Sequence, residues 1–269
     1  MQLFFLTVQI KKSILMKECL KGGTAMKVIV AEDYAAQCRE AADIVEKLVR
    51  ENPQCHLGLA TGSSPVGMYK ELARRCSEEG LDFSRVTSVN LDEYIGLEPT
   101  HDQSYRYFMD TNLFDHINID KKNTYVAKGV GDVDANLKEF NEVLNSRDTD
   151  LQVLGVGPDG HVGFNEPGDH LYSSAHAEVL DESTIDANAR FFASRDEVPR
   201  GAVTMGMGGI MRSGCLLLII SGSSKEEAAT QLLMTDEVTP KCPVTFLKVH
   251  KNAVVIITKE LADKIGYKA

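Results

Sequence analysis

The sequence predicts an α/β fold: one domain on a doubly wound, mostly parallel sheet with a lid-like excursion. Three observations carry that prediction. Short apolar runs alternate with stretches of helical periodicity from Lys27 almost to the end of the chain. Most of these runs empty into turns of glycine, serine and acidic residues, the pattern of strands buried on both faces. No internal repeat, low-complexity tract or linker divides residues 26–269. Alternation of this kind implies right-handed crossovers and a Rossmann-like arrangement.

Residues 27–31 read as the first strand, and a helix follows from about Tyr34 to Arg50, with Ala41, Ala42, Ile44, Val45 and Leu48 near helical spacing. Strand 55–60 meets Thr61-Gly62-Ser63-Ser64-Pro65, and a helix runs from there to about Glu79. Ser64 is suited to cap it and Pro65 to occupy its first turn. Strand 86–91 ends at Asp92-Glu93-Tyr94; a short helix near 104–113 and a longer one at 132–146 follow. Strand 151–156 leads into a second polar turn. Residues 168–200 show little periodicity and read as a long, partly helical excursion, a candidate lid. Strands 202–206, 215–221 and 253–258 close the sheet, with a helix at 224–234 between the last two.

Residues 1–25 stand apart. Met1–Ile10 is apolar, but its lysines follow the apolar part and no small-residue cleavage site appears, so it makes a poor signal peptide. Lys21-Gly22-Gly23 is what a purine-rich ribosome-binding sequence would encode if translated in frame. The expectation is that Met26 is the natural start and that residues 1–25 are a non-native or disordered extension before a domain at 26–269.

Composition narrows the function. Forty-three per cent hydrophobic and 25% charged residues are ordinary globular values. A net charge of −10, from 29 basic and 39 acidic side chains, argues against nonspecific binding to nucleic acid or anionic membranes. No apolar run is long enough to span a bilayer. Cys19, Cys38, Cys55, Cys76, Cys215 and Cys242 are scattered without metal-ligand spacing, which points to reduced thiols in a cytoplasmic protein rather than disulfides or zinc.

Three strand ends carry chemistry. Gly157-Pro-Asp-Gly-His-Val-Gly-Phe-Asn-Glu-Pro167 places Asp159, His161 and Glu166 just past a buried strand, where open α/β sheets bind their ligands. Two acids this close to an imidazole can orient it and tune it for proton transfer. Thr61-Gly62-Ser63 joins a strand to a helix amino terminus and makes a natural phosphate seat; it is neither a dinucleotide fingerprint nor a Walker loop. Arg190 and Lys225 would add a fork and a point charge for a phosphate monoester. At the third strand end, one of Asp92 and Glu93 reads as an exposed carboxylate or helix cap, and the other as a general base facing the same crevice; spacing does not say which. Asp92, Asp159, His161 and Glu166 could converge on a metal, but no His-x-x-x-His or Asp-x-Asp pattern supports one, and no metal is expected.

Taken together, Leu-Ala-Thr-Gly-Ser-Ser-Pro65, Asn90-Leu-Asp-Glu-Tyr-Ile-Gly-Leu, the Asp159-Gly-His161 run through Asn165-Glu-Pro, Asn188-Ala-Arg-Phe-Phe and Ser221-Gly-Ser-Ser-Lys225 resemble the glucosamine-6-phosphate deaminase family. The resemblance spans nearly all of residues 26–262. Asp-Gly-His alone would also fit 6-phosphogluconolactonase, which shares the fold. Those enzymes typically carry Asp-Glu-Arg in place of Asp92-Glu93-Tyr94 and a Ser-Leu-Phe-Pro type ending in place of Phe164-Asn-Glu-Pro167. The lactonase is the alternative reading. A sugar-phosphate-sensing regulator is a second rival, but residues 1–25 are neither long enough nor patterned as a helix-turn-helix.

The resemblance implies an enzyme of the hydrolase or isomerase class that turns glucosamine 6-phosphate into fructose 6-phosphate and ammonia in N-acetylglucosamine catabolism, without a cofactor. It makes Asp92 the base at C2 and His161 the group that opens the pyranose ring, with Asp159 and Glu166 flanking the imidazole. Thr61, Gly62, Ser63, Arg190 and Lys225 would hold the phosphate. The partner is a small-molecule sugar phosphate, with no nucleic acid and no membrane. Hexameric members hold an allosteric phosphate on a basic pair whose places fall to His176 and Glu178 here, a poor seat for a dianion. The chain also ends at Ala269, soon after its last strand, without the longer tail of that branch. A monomer or small homo-oligomer without that allosteric site is expected.

Overall fold

The computed structural model describes residues 26–268, so the expectation for residues 1–25 lies outside the described residues. The elements run β1 (Lys27–Ala31), α1 (Tyr34–Glu51), β2 (His56–Leu59), α2 (Val66–Glu79), β3 (Thr87–Asn90), β4 (Asp92–Tyr94), α3 (Tyr105–Asn112), β5 (Thr124–Tyr125), α4 (Val133–Ser146) and β6 (Leu151–Leu154). They continue with β7 (His176–Val179), α5 (Glu182–Asn188), β8 (Gly201–Thr204), α6 (Met207–Arg212), β9 (Leu216–Ile220), α7 (Glu226–Leu233), β10 (Ala253–Thr258) and α8 (Lys259–Lys264).

Seven strands form a parallel sheet in the order β1-β10-β9-β6-β2-β3-β5. Its centre is legible in sequence because helices cover both faces. Leu216–Ile220 and Ala253–Thr258 are buried along their whole length, the continuous apolar run that such strands need. Helices begin where side chains satisfy their first N–H groups: Asp33 accepts from Ala36, Ser104 from Tyr107 and Asp132 from Ala135. Gln37 pins α1 to the sheet by donating to the carbonyls of Ile220 and Ile256 at 2.9 and 2.8 Å.

The chain leaves β2 toward β3 on one side, and leaves the neighbouring β6 toward β9 on the other. Adjacent strands whose connections diverge open a crevice at their carboxyl ends, and the cleft of this protein lies there.

Three expectations need correction. Strand 202–206 does not close the main sheet: Gly201–Thr204 is the middle strand of a separate antiparallel sheet, β4-β8-β7, with Asp92 opposite Thr204 and His176 opposite the same residue. The apolar run at 86–91 is interrupted at Leu91, where the chain crosses from the main sheet into β4, held by Leu91 N–H to the Leu59 carbonyl and Met205 N–H to the Leu91 carbonyl. Ser64 does not cap α2; Pro65 holds the cap position with no side-chain bond.

The excursion is also more ordered than its sequence suggests. Leu180, Ile185, Val198 and Ala202 pack with Tyr94 and Phe164 into a small core of their own. Tyr94 lies 4.8 Å from Tyr105, 5.5 Å from Phe164 and 5.9 Å from Phe192, centroid to centroid. Among the described residues no helix is long and apolar enough to cross a membrane.

Candidate active site

A cleft of about 150 Å3 opens at the divergence of β2 and β6. The turn after β2 forms one wall. Tyr69, in the first part of α2, donates its hydroxyl to the Ala60 carbonyl at 2.6 Å and so fixes the strand end against the helix start. Gly62 sits at φ +86°, a conformation that a side chain would strain, and this turns Thr61 and Ser63 into the cleft.

The turn after β6 forms the opposite wall. Gly157 N–H donates to the His161 carbonyl at 2.9 Å, and His161 N–H to Asp159 Oδ1 at 3.1 Å. The imidazole then lies flat on Gly157, where a Cβ would sit 2.2 Å from its Cε1. His161 Nδ1 is 2.8 Å from Asp159 Oδ1 and 3.3 Å from Glu166 Oε2. Burial penalises the imidazolium, but the two carboxylates outweigh it and lift the group to about 9. Asp159 is pushed up by burial and, more strongly, pulled down by His161, ending below its ordinary value. The three donor atoms lie within 4.8 Å of one another, a spacing that a cation could also use; the imidazolium already supplies the positive charge between the two acids.

The structure separates Asp92 from Glu93, which the sequence left open. Alternation along β4 sends them to opposite faces. Asp92 faces the cleft; Glu93 accepts from the backbone N–H groups of Tyr94, Tyr105 and Arg106 at 2.8 to 3.1 Å and so caps α3. Neither is exposed, at 5% and 2%, so of the two roles expected for the second acid Glu93 takes the helix cap and not the exposed carboxylate. Burial, reinforced by Glu93 and opposed by His161, raises Asp92 to about 8. Burial raises Glu93 to about 7 against its three backbone donors.

Arg190 and Lys225 complete the rim. Arg190 is exposed, its guanidinium 4.7 Å over the Phe191 ring, on the turn Ala189–Phe191 that continues α5. Lys225 ends the turn after β9 and sits at the amino end of α7. Burial, together with the charge of Arg190, lowers its ammonium to about 8. Two cations converging with the β2 turn make an anion seat.

Seven of the nine residues expected from sequence line this one cleft: Thr61, Gly62, Ser63, Asp92, His161, Arg190 and Lys225. Asp159 and Glu166 stand behind His161. Sequence reasoning missed Tyr105, Thr184 and Asn188, which also line it. Tyr105, half-buried beside Tyr94 and Thr61, carries a phenol raised well above its ordinary value by desolvation; its only sequence signal is a place in the first turn of a short helix.

The sequence profile of the family described as glucosamine-6-phosphate isomerases/6-phosphogluconolactonase matches residues 30–256. The chain belongs to this isomerase/lactonase family. A relative from Clostridium perfringens (strain 13 / Type A), named glucosamine-6-phosphate deaminase, is 49% identical over 242 residues, covering 88% of this chain and 98% of the relative. One of the same name from Thermoanaerobacter sp. (strain X514) is 45% identical over 89% of this chain and 95% of its own length. A solved structure described as a monomeric glucosamine-6-phosphate deaminase superposes with a TM-score of 0.86 at 40% identity, covering 88% of this chain and 99% of the other. The 6-phosphogluconolactonase of Thermotoga maritima superposes at 0.68 with 22% identity, over 87% and 100% of the two chains, a likeness of fold alone. Within the family this chain therefore stands on the deaminase side.

Proposed function

We propose that the chain is a glucosamine-6-phosphate deaminase: it isomerises glucosamine 6-phosphate from aldose to ketose and releases ammonia, leaving fructose 6-phosphate. One observation carries this reading. A buried carboxylate, Asp92, and a carboxylate-flanked imidazole, His161, share a cleft with the turn after β2 and two cations, Arg190 and Lys225.

In this reading Thr61, Gly62, Ser63, Arg190 and Lys225 grip the 6-phosphate, supplying binding energy away from the reacting carbons. His161, protonated near neutrality, moves the proton that opens the pyranose ring, after which C1 is an aldehyde and C2 bears the amine. Asp92 removes the C2 proton, the electrons shift toward the C1 oxygen, and the resulting enolic amine is reprotonated at C1. The imine now at C2 takes up water and expels ammonia, leaving the ketone. Carbon acidity next to a carbonyl calls for a desolvated base and an acid near the oxygen, which are the settings of Asp92 and His161. Asp159 and Glu166 keep the imidazole charged and oriented. The relatives of high identity carry deaminase names, and the hydrolase label expected from sequence gains no support.

The finer reading is a monomer or small oligomer, cytoplasmic, in amino-sugar breakdown, without activation by an allosteric phosphate. Its support is local: His176 Nε2 lies 3.1 Å from Glu178 Oε2, and their pocket also holds Glu166 and Asp181, so this surface repels a dianion. The unbridged thiols of Cys38, Cys55, Cys76 and Cys242 suit a reducing compartment.

A coupled ammonia assay with glucosamine 6-phosphate tests the activity. Stoichiometric ammonia and ketose 6-phosphate are expected. Turnover of 6-phosphogluconolactone without ammonia release from the amino sugar would overturn the reading.

A further inference from the structure

The excursion and the imidazole meet through one hydroxyl. Thr184, in α5, is 2% exposed, and its Oγ1 donates to Glu166 Oε1 over 2.8 Å. The other oxygen of that carboxylate, Oε2, is buried, stands 3.3 Å from His161 Nδ1 and makes no hydrogen bond. The terminal torsion of a glutamate is broad and roughly two-fold, so a carboxylate faces one direction only when an oxygen is held. Thr184 supplies that hold.

The same arm reaches the other end of the cleft. α5 runs directly into the turn Ala189–Phe191, which carries Arg190. Beside Thr184, Ile185 is 1% exposed in the small core with Tyr94 and Phe164, which anchors the arm at its middle. The six steps from Thr184 to Arg190, four in the α-helix and two into the tighter turn, rise about 10 Å. One continuous segment thus touches the carboxylate behind the imidazole and brings a cation to the phosphate end.

We propose that Thr184 is a positioning residue that sets Glu166 against His161, so that the arm which presents Arg190 to the phosphate also orients the proton-transfer group. Thr184 acts through Glu166 rather than on the substrate. The inference rests on the function proposed above for the role of the imidazole. It gives remote phosphate binding a route to the reacting end, because seating the arm completes both contacts.

Thr184→Val keeps the shape and removes the hydroxyl; Thr184→Ser keeps the hydroxyl; Thr184→Ala serves where the valine crowds the site. Nitrogen-15 NMR of the His161 imidazole across a pH titration reads its protonation midpoint with no substrate present. The midpoint should fall by about half a unit or more in Thr184→Val and Thr184→Ala and stay at the wild-type value in Thr184→Ser, since a freed carboxylate no longer faces Nδ1. Adding Thr184→Val to Glu166→Gln should move it no further, the mark of an effect that passes through Glu166. With glucosamine 6-phosphate, kcat should fall about tenfold in Thr184→Val while KM stays within about twofold. An unmoved midpoint in a folded valine or alanine variant, or a serine variant that behaves like them, overturns the proposal. A wild-type protein that titrates as expected yet releases no ammonia refutes the function and leaves the NMR result to decide the role of Thr184.

Discussion

Asp92→Asn isolates the base from the rest of the cleft. The amide has the shape of the carboxyl but cannot take the C2 proton, while the β2 turn, Arg190 and Lys225 are untouched. Loss of a positioned general base removes about two to four decades of rate, so kcat should fall at least about 100-fold with KM changed by less than about threefold. Burial also makes a second, opposite prediction. Asp92 sits at about 8 in the fold against an ordinary 3.8. The folded state keeps a proton that the unfolded chain has lost between those values, so Asp92 destabilises the fold progressively as pH rises from about 4 to 8, and fully above it. At 1.36 kcal/mol per unit the upper bound is about 6 kcal/mol, of which relaxation and water entry recover part. Asn carries no such penalty, so the variant should melt at or above the wild-type temperature at pH 8.5, with the advantage shrinking toward pH 5. The same value sets the wild-type rate: kcat/KM should climb about tenfold per unit toward about pH 8 and decline above it, as Lys225 and then His161 lose their protons. Stopped ammonia assays and calorimetry at the two pH values check both halves. Turnover within tenfold of wild type, or a melting temperature several degrees lower at pH 8.5, would refute the reasoning.

Lys225→Ala should raise KM by about one to two decades, the roughly 1.5–3 kcal/mol of a charge-assisted contact, with little change in kcat; substrate titration reads it, and an unchanged KM would return Lys225 to the solvated surface. Gly157→Ala puts a methyl 2.2 Å from the His161 ring and must displace it, so kcat should drop about 100-fold while the fold, followed by circular dichroism, is retained. Substrate saturation should be hyperbolic and indifferent to N-acetylglucosamine 6-phosphate, because the His176–Glu178 pair offers no net positive charge; a sigmoidal curve that this compound straightens would show the opposite.

The sequence alone determined six of the seven strands of the main sheet and the polar turns that line the cleft, because both depend on short-range patterns; the two-residue β5 carries too little pattern to be read. Strands such as 216–220 and 253–258 are buried on both faces and read as unbroken apolar runs, and the turns that end them must be small and polar. The nine residues that gather in and behind the cleft were legible for that reason, since they sit in those turns or on segments with their own motifs. What the tertiary structure decided was everything fixed by long-range pairing. Asp92 and Glu93 are adjacent and chemically alike; only the crossing of the chain at Leu91 into a second sheet sends one to the cleft and the other to the start of α3. Strand β7 was illegible because its outward positions include Val179, 78% exposed, and its half-buried ones His176 and Glu178, an inversion of the apolar-in pattern. Gly201–Thr204 looked like a member of the main sheet because apolar content reports burial and not the partner strand. Thr184 gave no signal at all: a threonine in a polar helix meets the site only when Glu166, 18 residues earlier, is folded against it.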